Sequence, residues 1–360
     1  MRRLGISIYP EKSSVEEIIN YIDKAHAIGA SRLFSCLLSV NKEADEIKKD
    51  FLAIHHHAKE LGFEIILDVS PKVFNLLGIS YKDLSFFKEL KADGIRLDQG
   101  FSGAEEALMT YNPENLKIEI NMSNETHTID TIMDYCPNRY QLYGCHNFYP
   151  HNYSGLNFDL FDRCTHNFKK YGLNTASFIG CAKGFGPWPT TDGLVTLEMH
   201  RNLPLDVQLK HYIALDYIDD IIISNCFPSD EELLALSKVD LKVLNFKIKL
   251  IDNLPEVEKD IVLKELHFNR GDQNDYMIRS TQSRVKYKGH DFKVFNTPDK
   301  LRRGDIIIES SLYGHYAGEL QIVLKDMDNS GRSNVVGSID QEELFILDAI
   351  KPWQKFRFTL

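Results

Sequence analysis

Eight short runs of the chain are rich in β-branched and aromatic residues and are bounded by Gly, Pro, Asn or Asp. They are "LGISIYP", "RLFSCLLSV", "EIILDVSP", "GIRLDQG", "KIEINMSN", "QLYGCHNFYP", "NTASFIGC" and "DDIIISN", and each reads as a strand. Between several of them the apolar period lengthens to that of a helix. In "SVEEIINYIDKAHAIGA" the apolar positions Ile18, Ile19, Ile22 and Ala25 fall at helical spacing, and Ser14 with Glu17 has the spacing of a capping box. "EADEIKKDFLAIHHHAKELG" follows the second run and stops at Gly62. "SYKDLSFFKELKADG", "FDLFDRCTHNFKKYG", "PLDVQLKHYIAL" and "SDEELLALS" continue the alternation. Eight strands interleaved with helices predict a (β/α)8 TIM barrel over residues 1–240, with an open doubly wound sheet as the competing α/β arrangement. The sixth strand is the weakest, because Cys145, His146 and Asn147 interrupt its alternation.

Past residue 240 the texture changes. "VLNFKIKLI" alternates strictly, with Leu244, Phe246, Ile248 and Leu250 on one side and Lys247 and Lys249 on the other. "DIIIES" and "GELQIVLKDM" read as further strands, and "GHDFKVFN" and "DNSGRSN" carry turn residues. Residues 241–360 are expected to form a second, small, mostly β domain.

Bulk properties narrow the function. The 360 residues are 43% hydrophobic and 26% charged, which suits a packed globular protein. Net charge is −10 and no block of Lys or Arg stands out, so nucleic acid is not an expected partner. The opening "MRRLGISIYP" has too short an apolar run for a secretory signal, and no run reaches the roughly 18 residues of a membrane span. The six cysteines form no CxxC pair and several lie in apolar runs, as core thiols of a cytoplasmic protein would.

The chemistry should sit where the strands end, because the mouth at the C-terminal ends of barrel strands is where this fold builds its sites. Strand 3 ends with Asp68. Strand 4 carries Arg96 and Asp98, two apart and hence on one face. Strand 5 carries Glu119, Asn121 and Ser123 on the face opposite Ile118 and Ile120. His146 and Asn147 end strand 6, "AKGFGPW" with Lys183 and Trp188 follows strand 7, and Asn225 ends strand 8. Any one of these could be a helix cap, a core histidine or a structural ion pair. Together they would be costly to bury unless they are paired or serve a purpose. Paired carboxylates with aromatic platforms at Tyr149, Tyr153 and Trp188 suit glycoside cleavage. Asp68, Glu119 and His146 could instead hold a divalent metal in a sugar isomerase or epimerase, although no short ligand motif supports a metal site. A non-catalytic sugar-phosphate binding module is the third reading.

"LGISIYPEKS", "LLSVN", "LDVSP", "ADGIRLD", "GCHNFYP", "HRNLP", "RGDQNDYMIRST", "GELQIVL" and "IKPWQKF" resemble a bacterial group of "outer surface proteins" related to the 6-phospho-N-acetylmuramidases. The resemblance runs over nearly the whole chain. It implies a barrel followed by a cyclophilin-like β domain, in a cytoplasmic enzyme of peptidoglycan recycling that needs no cofactor or metal. Its implied substrate is a phosphorylated disaccharide, N-acetylmuramic acid 6-phosphate–N-acetylglucosamine, cleaved at the β-1,4 bond.

Within that resemblance the acidic candidates are Asp68, Asp98 and Glu119. Glu119 is expected as general acid, kept neutral by the barrel interior, and Asp98 beside Arg96 as ionised nucleophile or stabiliser, with Asp68 in reserve. If the substrate's own acetamido group attacks, one carboxylate would orient it instead. His146 and Asn147 are expected on sugar hydroxyls or the acetamido group, and Asn121 and Ser123 are expected to position Glu119 or the sugar. Glu198 and Asn202 either reach the mouth or cap helices. Lys183 and the glycines of its loop lie where barrels often hold phosphate. Arg270 and Arg279 either sit on a solvated turn and strand or read the phosphate, with the second domain closing over the mouth of its own barrel or of a second copy. A homodimer is one arrangement this allows.

Overall fold

The computed structural model describes residues 2–37, 44–188 and 192–360. Most of "LLSVN" and of the expected continuation of strand 2 therefore lies outside the described residues. The chain divides into two compact units, Met1–Leu209 with Asp216–Lys238, and Val239–Leu360 with Lys210–Leu215.

The first unit is a closed barrel of eight parallel strands in chain order: β1 (Arg3–Ile8), β2 (Arg32–Cys36), β3 (Glu64–Val69), β4 (Gly94–Leu97), β5 (Lys117–Asn121), β6 (Leu142–Cys145), β7 (Asn174–Ile179) and β8 (Asp220–Ile223). β1 pairs with both β2 and β8 and so closes the ring. The helix Val15–Ala27 starts on Ser14, whose hydroxyl accepts from Glu17 N while the Glu17 carboxylate accepts from Ser14 N, the expected capping box. Gly62 takes φ +84° just past the helix Ala44–Glu60, a conformation that a Cβ would strain. The crossovers after β3, β4 and β5 carry only short helices, Pro71–Leu76, Ser85–Glu89, Ala104–Met109 and Thr128–Asp134. β6 is four residues long and ends before His146, which accounts for its broken alternation.

The barrel interior is layered. Side chains of alternate residues point inward, and Tyr9, Phe34, Cys36, Cys145, Ala176, Phe178, Ile222 and Cys226 pack into one apolar plug. Polar layers lie on either side of it along the strands.

The second unit is a mixed sheet. Its strands are β9 (Leu244–Leu250), β10 (His267–Phe268), β11 (Met277–Ser280), β12 (Lys300–Leu301), β13 (Asp305–Glu309), β14 (Leu320–Val323), β15 (Met327–Asp328), β16 (Ser333–Ile339) and β17 (Lys355–Thr359). Seven of them form one sheet in the order β10-β17-β9-β16-β13-β14-β11, while β12 and β15 pair separately. The alternation of β9 translates directly, with Leu244, Phe246 and Ile248 buried and Lys247 and Lys249 exposed. Among the described residues no helix is long and apolar enough to cross a membrane.

Candidate active site

The strand starts build a charged floor. Arg32, fully buried, lies 3.0 Å from Glu64, 3.5 Å from Asp220 and 2.7 Å from Glu119. Arg3 closes the same network onto Asp220 at 2.6 Å and Glu64 at 3.0 Å, and Lys117 also pairs with Glu64. Three cations thus face three carboxylates, which is how a barrel can bury charge without a net excess. Glu119 belongs to this network. Its Oε1 accepts from Arg32, its Oε2 is buried without a partner, and the residue is 1% exposed. Burial raises its pKa, against the pull of Arg32. Glu119 thus gives one oxygen to the floor, while its register beside Arg96 keeps it electrostatically coupled to Asp68 and Arg96.

The strand ends build the mouth around Arg96. Its Nη1 donates to Asp68 Oδ1 at 2.6 Å and to Asp98 Oδ1 at 3.2 Å, and its Nη2 donates to Asn147 Oδ1. Asp68 is buried, and burial outweighs Arg96 to push its carboxyl up to about 6, with Asp98 and Glu119 adding like-charge repulsion. Asp98 is one-third exposed at its side chain. Asn121 donates from Nδ2 to the Asp98 carbonyl at 3.1 Å and accepts from Ser123 N at 3.0 Å, so it shapes the loop on which Asp98 and Ser123 sit. Asn147 N donates to Ser123 Oγ at 2.7 Å.

His146 completes this shell from behind. It is fully buried, stacked on Phe161, with Nε2 at 2.9 Å from Thr165 Oγ1 and Nδ1 at 3.2 Å from Ser123 Oγ. Thr165 gives its own hydrogen to the Phe161 carbonyl. It must therefore accept from His146, which assigns the proton to Nε2 and leaves Nδ1 an acceptor. Burial and then Arg96 lower the imidazole to about 3. His146 is a neutral brace for Ser123, and the expectation that it bonds sugar hydroxyls is corrected accordingly.

Aromatic rings extend the mouth outward. Phe148 packs against Phe178 and Phe34 at the top of the plug, and the Trp188 ring lies 5.6 Å from it with the residue 44% exposed. Tyr149 is half-buried with its phenol beside Ser123, whereas Tyr153 is almost fully exposed.

Glu198, an expected substrate contact, is engaged within the chain. Both Glu198 oxygens are filled, by Tyr153 N at 2.8 Å, Gly155 N at 2.7 Å and a two-pronged bond from Arg201, which hold its carboxyl down at about 2. Arg201 also donates to the carbonyls of Tyr149, Asp192 and Gly193. The pair is a clasp that ties two loops, and Gly155 has no room for a Cβ beside it. Lys183 is exposed, and the phosphate expected near it would meet protein carboxylates. Glu232 accepts from Ala182 N and Ser229 N at 2.8 Å each, and Asp230 and Glu231 share the same first helical turn. That position, where barrels often hold phosphate, is already filled by an anion of the chain itself. Asn225 bonds Cys181 N and O, and Asn202 is exposed. In the second unit Arg270 pairs with Asp272 and Arg279 with Glu319.

The alternative metal set does not converge. Asp68, Glu119 and His146 turn to Arg96, Arg32 and Ser123 respectively, and among the described residues no three His, Cys, Asp or Glu side chains stand together to hold an ion. Reasoning from sequence missed Arg32, Arg201 and Glu232. Arg32 was the most legible, since it shares inward parity with Phe34 and Cys36.

Comparison with known proteins adds the family. Residues 4–238 match the model of the N-terminal part of 6-phospho-N-acetylmuramidase, and residues 244–359 match the model of its C-terminal part. A crystal structure of an uncharacterized B. cereus protein is 47% identical, covers 100% of this chain and 99% of its own, and superposes with a TM-score of 0.91. A conserved Enterococcus faecalis protein of unknown function is 22% identical, with 99% and 96% of the two chains covered and a TM-score of 0.72, a likeness of fold. No curated protein matches the chain.

Proposed function

The chain belongs to the 6-phospho-N-acetylmuramidase family, and from that premise and the mouth geometry we propose that it hydrolyses the β-1,4 bond of N-acetylmuramic acid 6-phosphate–N-acetylglucosamine, in the cytoplasm, as a step of peptidoglycan recycling. The observation that carries this reading is the Asp68–Arg96–Asp98 constellation. Two carboxylates share one guanidinium nitrogen, one sealed and one open to solvent.

Asp68 is the general acid. Its carboxyl, pushed up to about 6, keeps a proton available for the leaving oxygen. Asp98, held by Arg96 and open to solvent, faces the sugar carbon or orients the acetamido group. The two Oδ1 atoms lie 2.6 and 3.2 Å from one nitrogen, so they stand under about 6 Å apart. Inverting pairs need about 6.5–9.5 Å to admit a water, so this spacing favours retention. Asn147 and Ser123 fix the height of Arg96, and Trp188 on Phe148 offers a face for a sugar ring.

The test is turnover of a chromogenic N-acetylmuramic acid 6-phosphate β-glycoside, with and without EDTA, by the wild type and by Asp68→Asn. Cleavage that ignores EDTA and falls at least a thousandfold in the variant is expected. A folded wild type that leaves the glycoside intact would remove the reading.

A further inference from the structure

One face of the second unit's sheet is divided between apolar and polar side chains. Across neighbouring strands Arg279 pairs in register with Gln321, and Gln321 with Ile307. Glu309 lies opposite Ser333, and Glu319 precedes β14 with the same parity as Gln321. Ile307, Val323 and Val335 pack with Leu301 as the apolar half. The polar half holds Glu319, fully buried, with Arg279 Nε at 2.7 Å, Arg284 Nη1 at 3.1 Å and Gln321 Nε2 at 3.0 Å from its carboxylate. Tyr316 covers both guanidiniums, 5.5 and 5.4 Å from its ring centre, and remains 41% exposed.

A purely structural ion pair would leave nothing over, and this cluster leaves two things. Two arginines face one fully buried carboxylate: Arg279 donates from Nε to Oε1, whereas Arg284 Nη1 stands 3.1 Å from Oε2 without a hydrogen bond to it. Glu309, pushed up to about 7 by burial, and Asp272, which acts on Arg279 while pairing with Arg270, are the other acids nearby. In addition, Gln321 is 4% exposed and its Oε1 has no partner. The amide cannot be turned to cure this, because Nε2 must face Glu319. A buried acceptor without a donor costs about 1–3 kcal/mol. What is left over is a guanidinium nitrogen of Arg284 without a hydrogen bond, beside an acceptor that wants an O–H or N–H.

We propose that Arg279, Arg284, Gln321 and Tyr316 form a binding site for a sugar phosphomonoester, the arginines taking the phosphate, Gln321 a sugar hydroxyl or amide and Tyr316 the ring. The choice of a phosphorylated sugar as ligand rests on the proposed glycosidase reading.

The test is calorimetric titration of the full chain with N-acetylglucosamine 6-phosphate, N-acetylmuramic acid and N-acetylglucosamine. Binding of the phosphorylated sugar alone is expected. It should weaken at least tenfold in the double variant Arg284→Met/Glu319→Gln, which removes one charge of each sign and so leaves no buried charge unpaired, and in Tyr316→Ala at the surface. Unaltered affinity in Tyr316→Ala and a folded double variant, or binding of the unphosphorylated sugars alone, would overturn the site. Chromogenic turnover is read separately. Phosphosugar binding without turnover removes the glycosidase and keeps this site, while turnover without binding removes the site and keeps the glycosidase.

Discussion

Arg32 donates to Glu119 across 2.7 Å, from the first residue of β2 to the middle of β5, with both side chains sealed from solvent. The bond turns the most conspicuous strand carboxylate of the sequence toward the barrel floor. Arg32 keeps Glu64 and Asp220 when Glu119 is neutralised, so the loss is partial. Glu119→Gln is expected to cost about 3 kcal/mol, the low end for breaking a buried pair, read as a lower urea midpoint. Its folded fraction should keep turnover of the muramic glycoside within about threefold. Loss of turnover in a variant of wild-type stability would return the acid role to Glu119.

If Asp68 is the proposed general acid, it sets the alkaline limb of activity. A general acid works protonated, so kcat/KM should fall as pH rises through about 6, where the buried carboxyl gives up its proton. The same raised value means that the protonated form favours the fold. That contribution is whole below the ordinary carboxylate range and is lost as pH passes about 6. Asp68→Asn should abolish the limb along with most of the rate. A wild-type profile flat between pH 5 and 8 would contradict the assignment.

His146 is expected to leave that profile alone. An imidazole lowered to about 3 changes no charge in the working range. His146→Gln should reduce kcat/KM about tenfold by releasing Ser123 and Asn147, while the pH limb stays in place. A displaced limb would make His146 the titrating group.

Glu198 and Arg201 hold the loop that carries Tyr149 and Tyr153. Glu198→Ala frees the amides of Tyr153 and Gly155. Limited proteolysis should then cut within residues 150–155 well before the wild type is touched, and KM should rise more than kcat falls. Because the carboxyl is held down at about 2, the clasp is intact above the ordinary carboxylate range and opens only as pH falls toward 2.

Lys183→Ala should alter KM for the phosphorylated glycoside by less than about twofold, since Glu232 already fills the amide cradle beside it. A tenfold rise would put the phosphate back at that loop.

The sequence by itself determined the architecture. Parity within strands, helical spacing between them and the capping box at Ser14 are local properties, and they carried through to eight strands in order and to the alternation of β9. Parity also determined that Glu119, Arg96 and Asp68 point into the barrel. It could not say which end of the barrel a long side chain reaches toward. That depends on the stagger of neighbouring strands and on partners far away in the chain, such as Arg32 for Glu119 and Asn147 for Arg96. The same holds for Glu232 at the Ala182 amide and for Arg284 at Glu319. Only the tertiary structure decided which charges neutralise one another, because that balance is struck between side chains that no local spacing brings together.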